Sequence, residues 1–366
     1  MEINLKRFVD VNIQPHEQSL SNGTRDTVVL FTPETSEDTD GQVYDSLASA
    51  ALYWATSTLT YKYLKVFFDN GGVKVKVYQN KTYTALTYSD ILALDNKYIA
   101  VAVVAADSDK EACYAAVKTI ASYLQANADI LNIYGINEKI LLARTYVASD
   151  TSAVKNFAVK YSSTIGAEMT MAAYLTQLNI EDVDSVRDYA FTEEKSITAE
   201  VLSDADFATL QTNNMNVVVK LSDSVRNFGG NCKDGYDLVN NYMRIMLHQT
   251  VTDRLMQLLY QKIKSTTGIS KIYTVITQEL EKYKDAGYLT TDKVWTDIPL
   301  KVKGADGIDY TIINKGDALT NGYIVKVLPI SALSAAQKQA RSAPPIYIVI
   351  ADQYGIRKIT IKGEVI

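Results

Sequence analysis

Histidine is nearly missing from this 366-residue chain, which has only His16 and His248. Cysteine is as scarce: Cys113 and Cys232 lie far apart and in no C-x-x-C spacing. So few imidazoles and thiols cannot supply the three or four clustered ligands of a zinc site. They also leave little to activate a serine or cysteine nucleophile. The two thiols read as free, buried cysteines of a reducing compartment. Long apolar runs are lacking too. The longest, around Tyr98 to Ala106, is too short to cross a bilayer, so no membrane insertion is expected. The opening MEINLKRFVDVNIQ has neither the basic segment nor the apolar core of a secretory leader. Six prolines and 17 glycines exclude a fibrous or linker-rich chain. Positive charge is not in excess: 37 Lys and Arg stand against 42 Asp and Glu, a formal charge of −5. Nucleic acid is therefore not an expected partner.

What is present is a chain built for a core, 47% hydrophobic and 22% charged, with 25 tyrosines suited to protein–protein surfaces. Residues 1–13 alternate. Ile3, Leu5, Val9, Val11 and Ile13 share one face, broken by Arg7, and Phe8 is the apolar exception on the polar face. That period predicts a half-buried strand. The polar stretch 14–23 after it reads as a linker, so the strand has no hairpin partner beside it.

From Asp26 to about Val147 strand and helix patterns alternate. Strands are predicted at 27–32, 73–79, 98–105 and 139–148, and helices at 43–55, 58–69 and 109–126. YIAVAVVA is apolar throughout, which predicts a strand covered on both faces. The succession is that of an α/β fold with a largely parallel sheet. Helices near 151–160 and 166–178 continue it, while 180–215 has no clear period. NVVVKL (216–221) predicts a strand and the glycine-rich stretch after it a loop. Asp234 is a candidate cap for a long helix over 236–264, followed by a second over 269–286. Then come a hairpin pattern with Asp306-Gly307 at its turn, a strand at 322–329, a helix at 331–341 and a strand at 344–351. The end of the chain, GIRKITIKGEVI, alternates again, with Ile359, Ile361 and Val365 on one face. The expected organisation is an N-terminal arm and linker (1–23), a central α/β sheet domain (24–225), a C-terminal α+β domain of mixed sheet and helix (226–353) and a C-terminal arm strand (354–366).

Motifs for chemistry are few. There is no G-x-x-x-x-G-K-[ST], no G-x-G-x-x-G between strand and helix, and no G-x-S-x-G. Gly229-Gly230 precedes a helix, where an anion would be attracted, but Asp234 and Asp237 would repel it. The acidic loop 34–41 begins like a calcium loop at Asp38, Asp40 and Gly41 but has Ser49 where the closing carboxylate belongs. Cys232 beside Lys233 sits where its thiol pKa would fall. Paired carboxylates carry no local spacing rule. A carboxylate-dependent hydrolase of the cytosol therefore stays open as an alternative. No metal, cofactor or catalytic residue is assigned. The feature with physical content is the strand at each end, a template for pairing with another subunit or within its own.

The final stretch NGYIVKVLPISALSAAQKQARSAPPIYIVIADQYGIRKITIKGEVI resembles the end of bacteriophage contractile tail sheath proteins. The likeness lies in a Gly-Tyr strand, a P-x-S segment, a helix ending at Ala340-Arg341, an Ala-Pro-Pro step and two closing strands. INLKRFVDVNI is similar to the sheath N-terminal arm, and the two long helices are similarly placed. The resemblance implies a structural, non-enzymatic subunit of a virion tail, assembled in the bacterial host cytoplasm. Its partners would be other copies in a helical lattice, a tail tube protein, and baseplate and tail terminator proteins. The arms would be Ile3, Leu5, Phe8, Val9, Val11 and Ile13, with Ile356, Ile359, Ile361 and Val365, each joining strands of a neighbour. Residues 14–23 and Asp352 to Gly355 would be hinges. Lys338 and Arg341, at i and i+3 on the helix 331–341, would face an acidic tube surface. Another virion component, such as a tube or baseplate protein, is the remaining alternative.

Overall fold

The computed structural model describes residues 28–95, 97–128, 130–131, 138–221, 223–260 and 265–353. Both predicted arm strands, with all ten of their named residues, lie outside that range, as does His16.

Residues 28–228 build one eight-stranded sheet. In chain order its elements are β1 (Val28–Phe31), β2 (Gln42–Tyr44), α1 (Leu47–Ala50), α2 (Leu59–Asp69), β3 (Val75–Tyr78), α3 (Tyr88–Leu92), β4 (Ala100–Val103) and α4 (Lys110–Ala126). They continue with β5 (Ile140–Thr145), β6 (Phe157–Tyr161), α5 (Met169–Gln177), α6 (Asp204–Thr212), β7 (Asn216–Leu221) and β8 (Ser224–Phe228). The strand order is β2-β3-β1-β4-β5-β6-β7-β8. The six inner strands run parallel, and β2 and β8 close the edges antiparallel.

Two-sided burial explains the continuous apolar strands. Successive residues point to opposite faces, so Ala100 and Ala102 join Val28 and Leu30 under α2 and α5. Val101 and Val103 join Val29 and Phe31 under α3 and α4. The second half of the chain enters the first of these layers. Helices α7 (Leu238–Tyr260) and α8 (Ser265–Asp285) pack against each other, and Val239, Tyr242, Met243, Ile276 and Leu280 lie in the same core as the sheet.

Beyond α8 come β9 (Lys293–Val294), β10 (Leu300–Lys303), β11 (Asp309–Ile313), β12 (Ala318–Leu319), β13 (Tyr323–Val327), α9 (Ala335–Gln339) and β14 (Ile346–Ile350). These strands form three two-stranded antiparallel ribbons, β10–β11, β9–β12 and β13–β14. The Asp306-Gly307 turn lies between β10 and β11, as its sequence predicts, with Gly307 at φ +82°.

Several expectations are corrected. The helix expected at 43–55 is the edge strand β2 and the single turn α1, capped by Ser46 Oγ accepting from Ser49 N. The helix expected at 151–160 is absent; β6 begins at Phe157 and is buried along its length, where a parallel strand fits and a helix does not. The expected glycine-rich loop contains β8. The division at 225/226 therefore falls inside a sheet strand. Asp237, not Asp234, caps α7, its Oδ1 accepting from Asn240 N at 2.8 Å. The helix expected at 331–341 is only α9, preceded by a 3-10 turn at Ile330–Ala332.

Gly229-Gly230 serves the sheet. Gly229 has φ +108°, and a Cβ there would stand 2.8 Å from Asn216 Oδ1. Asn216 is fully buried, donates to Val159 O and Asn231 O, and accepts from Gly230 N and Asn231 N. It ties β6, β7 and the loop before α7 together. Asn216→Ala leaves several buried backbone groups unpaired and is expected to cost about 3 kcal/mol or more. A clear fall in the urea unfolding midpoint is the measurement; an unchanged midpoint contradicts this role.

Candidate functional site

In an open α/β sheet, ligands bind beyond the carboxyl ends of the strands where the strand order reverses. Here that point lies between β1 and β4. It is filled by the chain itself. Thr32 Oγ1, just after β1, lies 2.7 Å from Thr60 Oγ1. Glu34 turns its carboxylate onto the amino end of α2, accepting from Leu59 N at 2.9 Å and from Thr60 N at 2.7 Å. It holds the place an external anion would take on the helix dipole. The buried Tyr63 hydroxyl accepts from Ala105 N at 3.1 Å.

The other carboxylates along this edge clasp loops. Glu111 accepts from Tyr146 N at 2.7 Å and Thr145 Oγ1 at 2.5 Å. Glu200 accepts from Ser163 N at 2.6 Å and Tyr146 Oη at 3.2 Å. Arg144, buried at the end of β5, donates to Asp107 Oδ1 at 2.9 Å, with Glu168 beneath it at 4.0 Å. Burial raises the Glu168 carboxyl pKa, and the arginine opposes that rise. The carboxylates at this edge of the sheet are thus bonded largely to their own backbone and neighbours.

The acidic loop 34–41 is treated the same way. Asp38 accepts from Tyr44 Oη at 2.8 Å and Asp40 from Gln79 N at 2.7 Å. Among the described residues no group of three or more His, Cys, Asp or Glu is placed to hold a metal ion. His248 is buried within α7.

Both cysteines are free and buried, as expected. The reactive-thiol reading of Cys232 is overturned. Burial pushes its pKa well up, and Asn241 Nδ2 sits 3.6 Å from its sulfur. Lys233 does not help it, because its ammonium turns to Asp150 O at 2.7 Å and Asn213 O at 2.6 Å. Cys113 is likewise pushed up to about 12 by burial.

The C-terminal third offers open surface instead. In the β13–β14 ribbon, Tyr323 pairs with Ile350 and Val327 with Ile346. One face, with Val325, Ile346 and Ile348, joins the core beside α8. The other, with Tyr347 and Val349, meets Val302, Tyr310 and Ile312 of the β10–β11 hairpin. Layers thus cover both faces, yet no described strand pairs with either outer edge. Those edges present backbone donors and acceptors for another strand.

The chain leaving β14 is fixed. Gln353 N donates to Tyr288 O at 2.9 Å, and Asn240 Nδ2 donates to Gln353 O at 2.8 Å. Tyr236 Oη donates to Asp352 Oδ2 at 2.8 Å. Asp352 and Gln353 are therefore a pinned root, not the start of a hinge, and sequence reasoning missed the residues that pin them. Among these, Tyr236 and Asn240 were read only as part of a helix pattern.

Lys338 and Arg341 are both exposed. They do not share a helix face: α9 ends at Gln339, and Arg341 lies beyond it at φ +56°, its N donating to Lys338 O. The helix buries no residue and is held by the Ser334–Gln337 capping box.

No protein-family model matches the chain, and no curated protein matches it. Solved structures do. A chain of the anti-feeding prophage baseplate superposes at TM-score 0.67 with 15% identity, covering 97% of this chain and 99% of that one. The contracted helical sheath of the same particle gives 0.65 at 14% identity, with 97% of each chain covered. The sheath tail protein from Listeria innocua gives 0.54 at 7% identity, with 90% and 96% covered.

Both thiols are expected to resist a soluble aromatic disulfide in the native protein and to react once it is denatured. Fast native labelling at Cys232 contradicts its burial. Filled at the sheet crevice and, among the described residues, unpaired along the edges of a C-terminal ribbon, the chain has, over nearly its whole length, the fold of contractile-tail sheath proteins.

Proposed function

We propose that this chain is the repeating subunit of a contractile sheath, polymerised helically around a tail tube, whose contraction drives the tube through a cell envelope. The observation that carries the reading is the β13–β14 ribbon: packed on both faces and, among the described residues, unpaired on both edges, in a chain whose two ends are strand-patterned. A two-stranded ribbon is marginal alone and gains from added strands. Residues 3–13 of one copy and 356–365 of another supply them, with head-to-tail contacts that need not close.

The energetics fit. Ile3, Leu5, Val9, Ile359, Ile361 and Val365 each contribute roughly 1.5–3 kcal/mol when buried. Ordering the arms removes part of that sum. The remainder lets a mesh persist while the bodies of the subunits rotate. The pinned root at Asp352 and Gln353 passes load from the C-terminal arm into the start of α7 and the 288–290 segment. The bending point on that side then lies after Gln353, and on the other side in 14–23. Energy is stored in subunit contacts at assembly, and contraction releases it as a rigid-body rearrangement. Lys338 and Arg341, on an exposed turn with nothing to bury, face the tube. Baseplate and terminator proteins bound the two ends of the lattice.

Overproduced protein is expected to form helical tubes in negative-stain images. Removing residues 354–366 should leave a folded subunit that makes no tubes, and tubes from that truncated chain would count against the arm model. Reversing charge at both Lys338→Glu and Arg341→Glu should weaken co-sedimentation with a tube while sheath-only tubes still form. Loss of the fold in that variant instead would refute the tube-facing assignment.

A further inference from the structure

Lys160 is fully buried, on the helix-covered face of β6. Its amine lies 2.6 Å from Glu194 Oε1, 2.8 Å from Asn227 Oδ1 and 3.0 Å from Tyr189 Oη. Glu194, Asn227 and Tyr189 are buried with it. Tyr189 Oη donates to Glu194 and shares a hydrogen bond with Thr170 Oγ1 at 2.9 Å. Glu194 Oε2 is buried with no hydrogen-bond partner. An ion pair out of reach of water is a poor way to keep a lysine in a core. Burial also lowers the amine's pKa, though Glu194 opposes this.

An amine, a carboxamide and a carboxyl group, close together and dry, are the reactants and the proton carrier of amide exchange. The Asn227 carbonyl carbon is one bond, about 1.2 Å, from Oδ1, so it lies within about 4 Å of the Lys160 amine. These are the distances of an unreacted pair.

We propose that Lys160 and Asn227 become joined by an autocatalytic isopeptide bond, with Glu194 carrying the protons. Glu194 takes one proton from the Lys160 ammonium, leaving a neutral amine and a neutral acid. The Nζ lone pair attacks Cγ of Asn227, and Glu194 protonates the departing Nδ2. The Nζ–Cγ bond forms, the Cγ–Nδ2 bond breaks, and ammonia leaves. The second proton lost by Nζ returns to Glu194, which ends as a neutral acid. Reactants and products each carry five of these hydrogens and no net charge, and no oxidant or reductant is consumed. β7 lies between β6 and β8. The bond therefore links β6 to β8 across the intervening β7, near the carboxyl ends of β6 and β8.

Intact-mass spectrometry of the full chain, purified under reducing conditions, tests this directly. The expected mass is about 17 Da below that of the unmodified sequence, the loss of one ammonia. Digestion should give one branched peptide joining the segments around 160 and 227. Glu194→Gln and Asn227→Ala should each run at their own unmodified mass with no branched peptide. A wild-type chain at full mass, or a 17 Da loss that maps to another site, overturns the proposal even if neither variant folds.

Discussion

A β-strand paired on one side only leaves a row of N–H and C=O groups that water, a neighbouring strand or a covering segment must satisfy. This chain meets that constraint in opposite ways in its large sheet and in its C-terminal ribbon. At one edge of the large sheet, β8 is covered: Phe191 N and Glu194 N donate to Asn227 O and Val225 O, so residues 191–194 act as a further strand. In the β13–β14 ribbon nothing described closes the edges, although apolar layers lie on both faces. A ribbon finished on its faces and unfinished on its edges invites another strand.

The same economy of partners governs the crevice at the top of the sheet. In a ligand-binding α/β protein the amino end of a helix and the carboxyl ends of strands stay open for a substrate. Here Glu34 occupies the helix end, Tyr63 reaches the backbone after β4, and Glu111 and Glu200 hold the following loops. Such internal bonding ties the loops at this end of the sheet to one another. That suits the mechanical role proposed above. Gln353 is tied to α7, whose side chains are part of the sheet's own core, which is the route the proposal gives to load from the C-terminal arm.

Some of this was legible in the sequence because it depends on short-range pattern. The continuous apolar run at 98–105 predicted a strand covered on both faces, and the two cores supply those covers. The low count of His and Cys argued against a zinc site, whereas the lowered thiol pKa expected of Cys232 is reversed by its burial. Where expectation failed, the deciding partner lay far along the chain. Lys160 falls in the stretch 151–160 expected to be helical; it is a buried strand residue whose charge meets Glu194 and Asn227. Asn227 itself was placed in a loop because nothing in NFGGNC announces pairing with Val218.

Composition and periodicity alone determined the α/β class, most strand positions and the two long helices, since each follows from local alternation of apolar residues. Tertiary structure alone decided which edges are closed, which carboxylates are engaged, where the C-terminal root is fixed and that α9 is too short to carry Arg341. Those outcomes depend on hydrogen-bond partners separated by tens to more than a hundred residues, and no local period encodes such a pairing.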